Sequence, residues 1–344
     1  MSDLYERFEG YEDLKPLLDA TDEEVLLRLG RPTLVRIPGT GARPRARFVS
    51  CLLHGNEDSG YRAVLELLRT GVRFAFDLWV FIGNVHAASQ DGWFAHRYLN
   101  GQEDFNRVWG RGAPMTPMRR IAAAVIAALD TADLEAAIDI HNNTGENPYY
   151  AILPERTDAA LALATACADT VVEWGLRVYS LIEELSRRCP TVAVECGISG
   201  RPENHAFAAG VLHRFLSAPS FERPRIASPS LLRMAYRVSV RPEVKFTFTD
   251  RLPSGYNLAL QPGLDRHNFG MLLAGTALGR VRDGASMPLE ALDLNGDDAT
   301  GRFFEIRSDG RLIVSEDVTP VMMTRNALQT RRDCLFYIVR HCAR

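Results

Sequence analysis

Of eight histidines in the 344 residues, only His54 has an acid three positions later, Glu57. With 43 acids in the chain, about one such pair is expected by chance, so the spacing alone carries little weight. Its position adds more. His54-Gly55-Asn56-Glu57 follows an apolar, strand-like run and precedes helical spacing, which puts both side chains in one tight turn. Asp139-Ile140-His141 ends a second apolar run, and side chains two apart on a strand share a face, so Asp139 can orient the His141 ring. Glu195 closes a third run, Thr191 to Val194, just before Gly197. Ligand sites in open α/β sheets form beyond the carboxyl ends of strands. Two imidazoles and one carboxylate, His54, His141 and Glu57, leave a fourth tetrahedral position open for water, the arrangement of a catalytic zinc ion rather than a structural one. A nearby carboxylate, Glu195, would then take the water proton and pass it to a leaving amine. The segment Arg97 to Arg107 adds two arginines and an amide, suited to gripping a substrate carboxylate and stabilising an oxyanion.

The elements that must position these residues follow from periodicity. Thr21 with Glu24 three residues later is a capping-box pattern for a helix that stops at Gly30. Thr33 to Ile37 and Ala46 to Leu53 read as strands, and Tyr61 to Leu68 as a helix. The alternation continues with an apolar run at Phe76 to Ile82, a helix at Met118 to Leu129 and a strand at Leu134 to Ile140. Beyond these come one Ala-rich segment from Asp158 to Trp174 ending at Gly175, and a helix at Asn204 to Leu216. The expected fold class is α/β, a largely parallel or mixed sheet with helices on both faces. Pro219, Pro224 and Pro229, set among Ser and Arg, mark a boundary. The expected domains are an α/β domain, 1–225, and a β-rich domain, 226–344. In the second, Asp309-Gly310 is a hairpin turn between Phe303 to Arg307 and Leu312 to Ser315.

Taken together, the ordered motifs resemble those of the succinylglutamate desuccinylase and aspartoacylase family, relatives of the zinc carboxypeptidases. His54-Gly55-Asn56-Glu57 matches the first zinc motif, and Asp104-Phe105-Asn106-Arg107 matches D-L-N-R with Phe in place of Leu. Asp139-Ile140-His141 matches D-L-H, and Glu195 the general base. The resemblance covers about Cys51 to Gly197 in motifs, with looser architectural agreement to the end. It implies a carboxypeptidase-like zinc domain followed by a β-rich domain that narrows the entrance. It also implies one zinc ion per chain, Arg97 stabilising the oxyanion, Asn106 and Arg107 binding substrate carboxylate, and hydrolysis of a small N-acyl amino acid or similar amide. Asn142-Asn143-Thr144 after His141 is closer to the aspartoacylase branch. The competing readings are a metallocarboxypeptidase acting on short peptides and a zinc-retaining binding protein without turnover.

Composition narrows the classes further. A formal charge of -3 is unlike a phosphate-tracking surface, so no nucleic-acid partner is expected. No apolar run reaches the roughly 18 residues of a membrane helix, and the chain opens without a basic region followed by an apolar stretch. Six cysteines lack a C-x-x-C pair, as in a reduced, cytoplasmic protein. With Lys at positions 15 and 245 only, Schiff-base chemistry is unattractive. Neither G-x-S-x-G nor a Walker A motif is present. Plainer readings stand beside the sharp ones. His205, His213 and His267 read as surface or packing residues, and Cys196 as a small buried apolar group. Arg187 and Arg188 read as a charged helix end before they read as a second carboxylate clamp. The ligand set also accepts manganese, cobalt or nickel, and a homo-oligomer is left open.

Overall fold

The structure, a computed structural model, describes residues 4–42, 44–113, 115–222 and 229–342. The expected boundary at 225/226 lies outside the described residues. The chain forms two units: one comprises Met1–Asn142 and Tyr149–Ser230, the other Asn143–Pro148 and Leu231–Arg344.

The strands of the first unit are β1 (Glu6–Glu9), β2 (Thr33–Ile37), β3 (Ala46–Cys51), β4 (Asp77–Ile82), β5 (Leu134–Asn143), β6 (Tyr150–Leu153), β7 (Thr170–Glu173) and β8 (Thr191–Ile198). Its helices are α1 (Tyr11–Leu18), α2 (Asp22–Leu29), α3 (Asp58–Arg69), α4 (Val85–Ala88), α5 (Pro117–Leu129), α6 (Asp158–Cys167), α7 (Leu181–Leu185) and α8 (Pro202–Ser217). The strands lie in the order β1-β2-β4-β3-β5-β8-β6-β7. β3 runs parallel to both β4 and β5, while β2 is antiparallel to β4 and β6 to β8, so the sheet is mixed.

β3 and β4 are buried along their whole length, as strands covered on both faces are. Ala46 and Phe48 of β3 join Trp79, Phe81, Ile121, Val125, Leu181 and Leu185 in one core, against α5 and α7. The opposite face carries α3. A Cβ on Gly60 of that helix would lie 2.8 Å from Cβ of Ile140 and 3.0 Å from Cβ of Cys51, so only glycine allows this approach. Arg47, on β3, is 2% exposed. It pairs with Glu135 at 3.0 Å and donates to the carbonyls of Phe215 (2.6 Å) and Ala218 (2.7 Å) at the end of α8. Arg47→Met takes the nearer partner from a half-buried Glu135, which keeps only the more distant Arg45 among the described residues, and uncaps α8, and is expected to destabilise the protein by about 1–3 kcal/mol, measured by denaturant unfolding; an unchanged unfolding midpoint would contradict this account of the pair.

Two local expectations are corrected. The Ala-rich segment from Asp158 to Trp174 is not one element, because α6 ends at Cys167 and Thr170–Glu173 is β7, paired in parallel with β6. Glu195 does not close its strand either, since β8 continues to Ile198. The capping box at Thr21 is present in full, with Gly30 left-handed at φ 64 behind α2.

In the second unit β9 (Ser230–Val240) pairs antiparallel with β13 (Leu289–Asp293) and β17 (Phe336–His341), and β17 pairs with β16 (Thr319–Val321). A separate sheet has the order β10 (Phe246–Phe248), β11 (Leu258–Leu260), β12 (Ala277–Val281), β15 (Arg311–Val314), β14 (Phe304–Ile306). β14 and β15 flank Asp309-Gly310 as the expected hairpin, with Gly310 at φ 78. Short helices α9 (Thr300–Phe303) and α10 (Ala327–Arg332) complete this β-rich unit, whose core includes Leu258, Leu312, Leu335 and Phe336. No helix among the described residues is long and apolar enough to cross a membrane. The described cysteines are all free thiols.

Candidate metal centre

β3 delivers its carboxyl end directly into the first turn. Leu52 takes a left-handed φ of 58, unusual for a branched side chain, and turns the chain so that His54 leaves the sheet. Glu57 is the residue before α3, and its amide donates to the His54 carbonyl at 3.1 Å. Gly55 fits between them because nothing larger can: a Cβ there would lie 2.6 Å from the Ala88 nitrogen and 2.7 Å from the His96 carbonyl oxygen. Gly55→Ala is therefore expected to cost about 1–3 kcal/mol; an unchanged Tm would contradict the crowding.

β5 brings the second imidazole. His54, Glu57 and His141 are 3%, 3% and 4% exposed, and one donor atom from each lies within 4.8 Å of the others. Glu57 sits between the rings, Oε1 2.8 Å from Nδ1 of His54 and Oε2 2.7 Å from Nδ1 of His141. Each opposite ring nitrogen meets a further carboxylate. Nε2 of His54 donates to Asp104 (2.9 Å) and Nε2 of His141 to Asp139 (2.7 Å). This is the carboxylate–histidine arrangement that fixes a ring's tautomer and would turn Nδ1 toward a cation. Asp139 was legible from its two-residue spacing, whereas the partnership of Asp104 with His54, 50 residues away, was missed.

Asp104 also accepts from its own segment, at the Asn106 amide (2.8 Å), and thereby starts the short turn Phe105–Arg107. Phe105 anchors that turn, fully buried edge-on against Phe81 and stacked on Trp109. Arg97 joins the cluster, with Nη1 3.3 Å from Glu57 Oε1 and Nη2 3.2 Å from Asp104 Oδ2. Asn106 Oδ1 accepts from the Leu181 amide (3.0 Å), and its Nδ2 lies 3.3 Å from His141 Nε2. Arg107 donates to the Asn106 carbonyl at 2.8 Å. Glu195 lies on β8 opposite Tyr150 of β6, close enough to His141, Glu57, His54 and Arg97 to feel their charges. The structure thus gathers every sequence-derived candidate except Arg187 and Arg188, which pair with Glu184.

Electrostatics follow from this crowding. Burial opposes charge on Glu57, but the two imidazoles override it and hold the carboxyl far below the usual range. Asp104 is likewise lowered against its burial by His54 and Arg97. His141 is raised well above its ordinary value, since Asp139 and Glu57 outweigh burial. Glu195 behaves oppositely: burial pushes it up to about 7, partly countered by His141. Its side chain keeps some solvent contact.

The donor set fits a divalent cation. Glu57, Asp104, Asp139 and Glu195 gather here with Arg97 and Arg107 as the permanent positive charges acting on them, and both Nδ1 atoms face carboxylate oxygen. Without an ion, a proton must occupy an Nδ1 to make that contact favourable. Metal uptake should therefore release about one proton per ion at neutral pH, seen as a titration enthalpy that varies with the buffer. Because the raised group is His141, the release should fade as pH rises through its pKa. A buffer-independent enthalpy at pH 7 would contradict the protonation assigned to His141.

No family model matches the sequence, and no curated protein does. Solved structures do match. The succinylglutamate desuccinylase from Chromobacterium violaceum has 17% identity and a TM-score of 0.59, over 92% of this chain and 89% of that one. A succinylglutamate desuccinylase/aspartoacylase from Rhodobacter sphaeroides has 15% identity and a TM-score of 0.59, over 90% and 89%. Murine aminoacylase 3 has 17% identity and a TM-score of 0.52, over 88% and 97%. The chain has the succinylglutamate desuccinylase/aspartoacylase fold.

Proposed function

We propose that this chain, carrying that fold, is a zinc-dependent amidohydrolase that removes the acyl group from a small N-acyl amino acid or related acyl amide. The observation that carries the reading is the convergence of two buried imidazole Nδ1 atoms on one carboxylate, with Glu195 beside them. His54, Glu57 and His141 would hold the ion. When bound, zinc lowers the pKa of a water toward ~7 and polarises the substrate carbonyl.

The rest is done by the chain's own groups. Glu195 takes a proton from the attacking water and delivers it to the leaving nitrogen, a role suited to a carboxyl raised to about 7. Arg97, held by Asp104, would stabilise negative charge developing on the carbonyl oxygen. Asn106 and Arg107 would hold a substrate carboxylate; their placement in the turn begun by Asp104 ties that grip to the orientation of His54. Replacing Asp104 by Ala frees the His54 ring and is expected to weaken zinc binding roughly 10–100-fold, measured by competition with a chromophoric chelator; zinc affinity equal to wild type would contradict its orienting role.

The activity is tested with N-acetyl, N-succinyl and N-formyl amino acids beside blocked dipeptides, with zinc measured on the same sample. Turnover of acyl amino acids by zinc-loaded protein is expected. Turnover of dipeptides alone would indicate a carboxypeptidase, and zinc binding with no turnover a binding protein.

A further inference from the structure

Glu57 and Glu195 belong to segments far apart in the chain, and one hydroxyl connects them. Ser199 lies just beyond the end of β8, four residues after Glu195. Its Oγ donates to the carbonyl of Asn56 at 2.5 Å and accepts from the amide of Asp58 at 3.4 Å. These are the residues on either side of Glu57, so the hydroxyl straddles the metal-ligand position. The contact is reinforced by the next residue: Gly200 donates its amide to Asp58 Oδ1 at 3.0 Å. The other Asp58 oxygen accepts from Arg62 on α3 and from His205 on α8, both at 3.0 Å. Asp58 is 3% exposed and fully engaged.

A second bridge parallels the first. Asn142, next to His141, donates to Ser59 Oγ and to the Gly197 carbonyl, each at 2.9 Å, and accepts from the Ser59 amide at 3.0 Å. The start of α3 is thus tied to the end of β8 on both sides of the centre.

We propose that Ser199 is a positioning residue, setting the peptide that carries Glu57 against the strand that carries Glu195. The inference rests on the zinc reading above, and its test separates the two. Zinc affinity is measured by chelator competition, and the cobalt(II)-loaded protein is compared by its visible absorption bands, for wild type, Ser199→Ala, Ser199→Thr and Thr157→Ala. Thr157 caps α6 through the Ala160 amide and controls for a general loss of stability. Ser199→Ala is expected to lose about tenfold in zinc affinity and to shift the cobalt bands, Ser199→Thr to recover both, and Thr157→Ala to leave both unchanged while lowering Tm. If wild type binds zinc and Ser199→Ala binds equally well with unchanged bands, the positioning role is overturned and the zinc site stands. If Ser199→Ala and Thr157→Ala lose affinity alike, the effect is one of stability and the role is likewise overturned. Wild type failing to bind zinc overturns the zinc reading and this inference together.

Discussion

Glu195→Gln is expected to lower turnover by about 10²–10⁴-fold while zinc content stays at the wild-type level. The amide keeps the size and much of the hydrogen bonding of the carboxylate but cannot accept the water proton. Only proton transfer should be removed, because Glu195 is not among the three donors that converge within 4.8 Å. The pH dependence gives a second signature. Burial raises the Glu195 carboxyl to about 7, and the base form is the one above that pKa. Turnover should therefore fall as pH drops through it. A bound cation stabilises the carboxylate, so the acid limb of the loaded protein should lie below 7. The residual activity of Glu195→Gln should lack that limb. Loss of turnover accompanied by loss of zinc would instead place Glu195 among the ligands.

The second large effect is expected at Glu57. Glu57→Gln should reduce zinc affinity by more than the roughly 10–100-fold of an outer residue such as Asp104, because it replaces an anionic donor by a neutral amide and removes the charge that offsets two imidazoles. Glu57 is also the cleanest ligand to change. Truncating His141 would strand Asp139, which is 1% exposed and has one oxygen, Oδ1, without a hydrogen-bond partner among the described residues. Such a variant would lose stability together with metal. Glu57→Gln leaves the same volume between the rings, so unfolding and zinc titration can be read separately. Zinc affinity within a factor of two of wild type would place the ion elsewhere.

How far the centre was legible can be traced to particular residues. His54 follows β3 and His141 stands near the end of β5, strands that are buried along almost their whole length because both faces are covered. Continuity of that kind marks strand ends, and strand ends mark the site. Asp139 was found because a two-residue spacing on a strand is a spatial statement. The partnership of Asp104 with His54 was not, since nothing local tells which of 43 acids a ring nitrogen will meet. Ser199 and His205 escaped for the same reason: their contacts with the Asn56–Asp58 segment join positions more than 140 apart.

Among the elements of the first unit, β1, β6, β7, α1, α4 and α7 were missed. β1 and β7 have four residues each, too few for a period of two to stand out, and β7 is continuous with the Ala-rich texture of α6. α1 has no side-chain cap and contains Pro16, so both its start and its interior read as loop.

Anomalous diffraction at the zinc edge from zinc-saturated crystals tests the central claim most directly. The account predicts a single peak per chain, bonded at about 2.0–2.2 Å to Nδ1 of His54, Nδ1 of His141 and a carboxylate oxygen of Glu57. A peak bound to other residues, or none at this cluster, would contradict it.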